Sequence, residues 1–379
     1  MFSVCIVGGG PAGLKTAIDC QARGWETVVL EEHPEIGKPV NCTGIISKSG
    51  VEEYGISLDD ILVNPIKGAN IFSPSGEKLE LRRKLDVAYV IDRAGLDKQL
   101  AKQAEKAGAK IYTNTKLLNI RNESIFIERE GRGELLKAKL LVGADGPNSL
   151  TRQIMGIQKT RNDFAHAYQV RVKGNFDPSM VNVYFGPFAK NFFGWSAPES
   201  REWTRAGIAT SELNVKSNFE LFMTQKNLRG EYCDMCSSLI PVGPPMKDIV
   251  KENIMLVGDA AFHTKATTGG GILASINAGI AAAKAIDGHF KNKKPLKDYL
   301  NYLKPLYKEL ELHWKIRRYM NSFSDRDIDA MFAKMKRAGV EGFLEQHGDM
   351  DKPTLFVNKM VGNPRMWGML PELLKFMRS

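Results

Sequence analysis

The sequence predicts an α/β composite: a Rossmann-like, mostly parallel sheet with a β-meander inserted in it, an antiparallel-sheet domain, and a helical C-terminal region. Three observations predict this. An apolar run at 4–7 leads into Gly8-x-Gly10-x-x-Gly13, then a helix-period segment over 11–23 stopped by Gly24, then a second apolar run over 27–30. Two later apolar runs end on an acid beside glycine, LVGADGPNS at 141–149 and MLVGDAA at 255–261. An aromatic-rich stretch with strand-like alternation fills 165–210, and basic helical sequence runs on from 291. Short apolar runs bounded by turn residues read as buried parallel strands, and period-two alternation reads as a half-buried strand.

Each glycine of the first unit has a backbone reason: a tight turn, close approach to a pyrophosphate, and close helix–strand packing. The helix N-terminus adds unpaired N–H groups and a partial positive charge for a diphosphate. Glu31 lies 18 positions after Gly13, where an acid accepts both ribose hydroxyls of an adenosine. The complete βαβ unit, rather than the glycines alone, predicts a dinucleotide site.

Further along, 35–47 reads as a Gly/Pro-rich loop. Residues 67–92 read as β-structure around Pro74, Ser75 and Gly76, and 94–108 as an amphipathic helix with Leu96, Leu100 and Ala104 on one face. Residues 111–144 read as a strand, a meander turning near 131–133, and a buried strand that rejoins the first sheet. A short strand at 254–257 precedes a long small-residue helix reaching about 286. The expected division is 1–160 with 250–290 as the dinucleotide domain, 161–249 as a β-rich substrate domain, and 291–379 as a helical basic region.

The 379 residues are 43% hydrophobic and 25% charged, ordinary for a globular protein. Lys plus Arg number 53 against 43 Asp plus Glu, a net charge of +10. That balance suits an acidic partner such as an anionic membrane face, a phosphate headgroup or an acidic electron carrier. No nucleic-acid motif accompanies it. Five cysteines are too few for a disulfide framework and fit a reducing, cytosolic setting. Cys233-x-x-Cys236 has no second ligand pair, so free thiols or a redox pair remain, with free thiols favoured. The six histidines show no metal-ligand spacing, and no metal is expected. No signal peptide and no transmembrane run is expected, because 272–286 is broken by Ser275, Asn277 and Lys284.

Asp145 and Asp259 end strands, where carboxylates of open α/β sheets meet ligands. Gly269, Gly270 and Gly271 then open a helix 12 positions after Asp259, so backbone can approach a planar ring there. Together with the glycine loop, these motifs resemble the FAD-binding fold of the p-hydroxybenzoate hydroxylase class. KPVNCTGIIS, DRAGLD, FGWSAP with Gly207 beyond it, ATTGGGI and HGDMDKP further resemble the geranylgeranyl reductase family over nearly the whole chain, with its archaeal branch nearest in appearance. The resemblance implies FAD contacts at Gly8, Gly10, Ala12, Gly13, Glu31, Cys42, Thr43, Gly44, Arg93, Leu117, Asp145, Asp259, Gly270, Gly271 and Ile272. It implies a prenyl pocket at Tyr184, Phe193, Trp195, Ala197 and Pro198. Ala197 stands where the family has Phe, and Ala266 where it has Pro; the first is expected to widen the pocket and the second to loosen the loop over the flavin.

The implied activity is reduction of C=C bonds in geranylgeranyl chains on a prenylated glycerophospholipid, at the inner face of the cell membrane. The basic helices after 291 and the stretch 366–377 are membrane-docking candidates. One GxGxxG leaves the electron donor open between transient NAD(P)H and a ferredoxin-like protein. Cys42 is the candidate catalytic residue, either carrying a proton to the alkene or only packing beside the flavin. His263 is expected to serve loop structure. The alternatives are an aromatic hydroxylase or halogenase of the same fold, and a non-catalytic prenyl-lipid carrier.

Overall fold

The computed structural model describes all residues except 122, 229, 370, 373–374 and 376–379. The strand Phe2–Val7 pairs in parallel with Thr27–Leu30 on one side and with Arg132–Gly143 on the other. Lys110–Tyr112 and Ile254–Leu256 extend this parallel sheet outward, and Val250–Lys251 closes one edge antiparallel. Both faces are covered, so Val4, Ile6, Val28 and Val29 carry no exposed surface, as near-continuous apolar strands require.

The meander is Thr115–Arg121 and Ser124–Arg129 folding against the first half of Arg132–Gly143. The second half of that long strand runs in the central sheet. Helices Pro11–Gln21 and Ile272–Asn292 pack closely because the facing residues are small. A Cβ on Gly279 would lie 2.9 Å from the Ala12 carbonyl oxygen.

The second sheet runs in the order Tyr232–Pro241, Phe164–Lys173, Trp203–Thr210, Gly194–Pro198, Met180–Tyr184, Gly68–Phe72, Lys78–Arg82. It differs from the expected antiparallel sheet in one place: Met180–Tyr184 and Gly68–Phe72 are parallel. Gly68–Phe72 and Lys78–Arg82 come from the N-terminal third, so a boundary at 160 cuts through this sheet. Period-two patterning shows that a segment is a strand and is silent about which sheet receives it. One face packs on helix Val215–Gln225 through Val170, Val172, Ile208, Phe219 and Phe222; the other faces a cavity.

A three-stranded sheet, Ile45–Ser47, Ala88–Ile91 and Leu62–Ile66, joins the two larger sheets. The C-terminal region is helical as expected, beginning with Tyr299–Asn321, Asp325–Arg337 and Val340–His347. No described helix is long and apolar enough to cross a membrane.

Candidate functional site

A single cavity of about 1240 Å³ runs from the first glycine loop, past Cys42 and the Gly269–Gly271 turn, to the inner face of the second sheet. At one end Gly10 caps the helix Pro11–Gln21 with Pro11 in its first turn, and no side chain satisfies the first N–H groups. A Cβ on Gly10 would meet nothing within 4 Å, so the space in front of those N–H groups is kept for a ligand. Gly8 has φ +110°, and a Cβ there would lie 2.3 Å from the Ala144 carbonyl oxygen. Gly13 faces the strand rather than the cavity; its Cβ would fall 2.1 Å from the Gly8 carbonyl oxygen.

Glu31 is held for its task. Gly9 N–H donates to Oε2 at 2.8 Å and His33 N–H donates to Oε1 at 2.9 Å. His33 Nδ1 also lies 2.7 Å from Oε1, a contact that sequence reading did not single out. The side chain keeps 13% exposure, toward the cavity. Leu117 lines the same end and is buried.

Asp145 borders the cavity, yet Ser149 Oγ (2.6 Å) and the Thr151 N–H (2.8 Å) already donate to its carboxylate. It therefore caps the short helix Leu150–Ile154 as well as facing a ligand. Asp259 takes a hydrogen bond from Thr264 Oγ1 at 2.7 Å. Burial pushes its pKa up, opposed by that bond and by the Arg93 charge. Arg93 lines the cavity and pairs with Asp97 at 2.6 Å.

Gly271 caps the helix Ile272–Asn292, again with no side-chain cap, so a second set of unpaired N–H groups points at the cavity. A Cβ on Gly271 would lie 2.9 Å from Asp259 Oδ1. The loop at Ala266 is tied to the C-terminal helices. The buried Arg317 donates to the carbonyls of Ala266 (2.9 Å), Thr267 (2.6 Å) and Asn191 (2.9 Å). With no acidic partner among the described residues, burial lowers its pKa to about 9. His263 lies outside the cavity, accepting from Gly258 N–H at Nδ1 and facing Tyr307, so it is structural.

Between the two helix ends sits the loop of Cys42, Thr43 and Gly44. Gly44 N–H donates to Cys42 Sγ at 3.3 Å. Arg205 donates to the Thr43 carbonyl at 2.7 Å, and Thr43 Oγ1 to Gln169 Oε1 at 2.5 Å. The Trp195 indole N–H donates to the same Gln169 oxygen at 3.2 Å. Gln169, 8% exposed, thus joins the loop to the sheet wall. Its strand face reads Ala165, Ala167, Gln169, Arg171, Lys173, a pattern that does not single the amide out. Trp195 stands opposite Gly207, where a Cβ would come 2.5 Å from the indole. Phe193 packs on it edge-on at 6.2 Å.

Three expected pocket residues lie elsewhere. Tyr184 points to the far face of its strand, stacked on Phe72 at 5.0 Å; its neighbours Val181 and Val183 line the cavity instead. Ala197 is fully covered, and Pro198 ends its strand with its carbonyl accepting from Asn64. For Tyr184 and Pro198 the cause is the alternation of side chains across a strand; Ala197 shares the face of Trp195 and is covered by the apolar cluster around it. Cys233 and Cys236 are free thiols paired with Arg171 and Gln169 across a β-bulge; Cys236 borders the cavity. The described residues hold no group of His, Cys, Asp and Glu arranged for a metal.

Two glycine-capped helix ends, an acid at the first strand pair and an open channel between them fit an extended dinucleotide with a planar ring. Residues 1–201 match the family described as FAD binding domain, and the chain belongs to that family. It is an FAD-dependent oxidoreductase. Its relatives narrow the kinship. The chain is 27% identical over 350 residues to a digeranylgeranylglycerophospholipid reductase of Methanococcus vannielii, covering 88% of this chain and 87% of that one. It is 28% identical to the protein of that name from Methanocaldococcus jannaschii, covering 87% and 90%. A geranylgeranyl bacteriochlorophyll reductase-like protein of Thermoplasma acidophilum superposes with TM-score 0.86 over 99% of both chains at 25% identity. A flavin-dependent brominase shares the fold, with TM-score 0.71 at 17% identity over 95% of this chain and 98% of that one.

Proposed function

We propose that this protein saturates isolated C=C bonds of geranylgeranyl chains on an archaeal-type glycerophospholipid. The observation that carries the proposal is the continuity of one cavity from the dinucleotide cradle to an apolar wall of Phe193, Trp195, Val181, Val183 and Ile71. The names borne by relatives over most of the chain's length support the same substrate class. FAD, when bound, supplies the hydride in its reduced form.

The chain's own residues do the rest. Gly10, Glu31 and the two helix ends hold the dinucleotide, with Ala12, Thr43, Arg93, Asp259 and Ile272 along its length. Trp195 and Phe193 orient the prenyl chain and exclude water. Cys42 Sγ, bordering the cavity, carries the proton for the second alkene carbon. An unactivated alkene offers no carbonyl to polarise, so orientation supplies much of the rate.

A chain already in a bilayer gains little of the roughly 0.8 kcal/mol per CH₂ that burial from water provides. Access is therefore by peripheral docking of the basic surface on an anionic membrane. Of the docking stretch 366–377, residues 370, 373–374 and 376–377 lie outside those described. Electrons arrive from NAD(P)H visiting the flavin or from an acidic ferredoxin-like carrier.

The test is anaerobic incubation of the holoprotein with dithionite and a geranylgeranylated phospholipid, read by mass spectrometry. Products gaining mass in steps of two hydrogens are expected. Untouched lipid together with an oxygen-dependent hydroxylated or halogenated aromatic would establish a different enzyme of this fold.

A further inference from the structure

Lys265 is an ammonium inside the flavin cavity that the site so far described does not use. It lies at the base of the glycine turn: Gly269 N–H donates to its carbonyl at 2.8 Å, and its own N–H donates to the Gly270 carbonyl at 3.1 Å. The side chain folds along the turn, so a Cβ on Gly270 would lie 3.1 Å from Nζ. The ammonium therefore adjoins the unpaired N–H groups of the helix Ile272–Asn292. Two positive features converge on the patch where the backbone admits a planar ring.

One carboxylate balances the charge. Asp351, from the segment after helix Val340–His347, lies 2.5 Å from Lys265 Nζ, with the two side chains 10% and 16% exposed. Ser47 Oγ donates to its other oxygen. Burial acts to raise the Asp351 pKa, but the Lys265 charge and the bonds from Lys265 and Ser47 hold it below the usual carboxylate range. The Met350 carbonyl lies 3.4 Å from the same Nζ. Asp349, the next acid along the arm, accepts from the backbone N–H groups of Asp351 and Lys352. His313, close by, is neutral, because burial and then the Lys265 charge push its pKa down to about 3.

A desolvated ion pair contributes little to stability, since its Coulomb attraction roughly repays the loss of hydration. Its effect on a neighbouring redox group is large by comparison. Reduction places negative charge on the pyrimidine part of a flavin, and nearby charges tune that step.

We propose that Lys265 stabilises the reduced flavin electrostatically and that Asp351, reaching in from the C-terminal arm, moderates it, so that the pair sets the flavin's reduction potential. This deepens the FAD reading and rests on it. The pair acts on the cofactor and leaves the choice of lipid to the sheet wall.

The test is a spectroscopic redox titration of the FAD-loaded protein against a reference dye, for wild type, Lys265→Met, Lys265→Arg and Asp351→Asn. Lys265→Met should lower the ratio of reduced to oxidised flavin at a fixed poise about tenfold, a shift of about 30 mV to more negative potential. Asp351→Asn should shift it about as far the other way, and Lys265→Arg should stay near wild type. Opposite signs separate tuning from architecture. If the pair merely fastens the arm, Lys265→Met and Asp351→Asn lose thermal stability alike and keep the wild-type potential, which overturns the proposal. Should Lys265→Met fail to fold, Asp351→Asn alone decides, because an unshifted potential overturns it. A wild-type protein that takes up no FAD would fail the flavoprotein reading itself, and shows as a colourless sample.

Discussion

At the glycine end of the cavity the lining is built chiefly from residues 8–31, with Leu117 and Asp145 beside them, and it offers mainly backbone N–H groups and carboxylates. At the Trp195 end the wall is assembled from strands around 68–72, 164–173, 180–184 and 194–198, and it works through side chains. The first end tolerates little because its atoms approach one another as backbone. The second is a surface of shape, adjustable one side chain at a time. Cys42, Thr43 and Gly44 lie at the seam, and Arg205 and Gln169 of the second sheet hold them. The Cys42 loop at the seam is thus positioned by the second sheet.

The largest effect that separates the two ends is expected from Gly10→Leu. The protein around Gly10 leaves room for the side chain, so the variant should melt like wild type yet retain no FAD after gel filtration. Normal flavin content would show that the diphosphate sits elsewhere. At the seam, Cys42→Ser should keep FAD while single-turnover alkene reduction falls by roughly 10²–10⁴, the range for lost general acid catalysis. A wild-type rate, with hydride transfer shown to be limiting, makes the thiol a packing group.

Glu31→Gln breaks the glycine end more gently. Loss of hydrogen bonds to a charged group should weaken FAD by roughly 1.5–3 kcal/mol, measured by fluorescence titration of the apoprotein, without altering which double bonds are reduced. Ala197→Phe is the converse. Ala197 is completely covered, so overpacking should lower stability by about 1–3 kcal/mol and alter product distribution through Trp195, with FAD content unchanged. A thermal midpoint equal to wild type would show that the strand has space beneath it.

The smallest effect is a pH dependence. His263 and His313 are buried and neutral, with pKa values pushed down to about 3 chiefly by desolvation, against about 6.5 unfolded. Below 6.5 the unfolded chain binds protons that the folded chain does not. Stability is therefore full above that pH and is lost as pH falls toward 3. At pH 5.5 each histidine should cost about 1.4 kcal/mol, seen in urea unfolding relative to pH 7.5. His263→Gln should remove its share of the drop; an unchanged difference between the two pH values would exonerate that residue.

The βαβ unit, the meander, the helix opened by three glycines and the class of cofactor were legible in the chain. Each is a local pattern in which residue type and spacing act on the backbone within one supersecondary element. Glu31 and Asp259 could be placed on the cavity because a strand's end opens toward it whatever else the fold does. The sequence resemblance also pointed to Trp195 and Gly207, and register pairing supplies the reason: a tryptophan needs a glycine across the ladder.

Other features were decided only in three dimensions. Tyr184 lies one side-chain position out of phase with the cavity, and strand parity relative to a distant sheet cannot be read from the strand alone. Gln169 joins Thr43 to Trp195 from separations of 126 and 26 residues, and Asp351 meets Lys265 from 86 residues away. The chain determined by itself that a dinucleotide would be bound by backbone, because that geometry is short-range. Tertiary structure decided which side chains line the rest of the cavity, because strands and a C-terminal arm far apart in sequence must first pack before those groups share it.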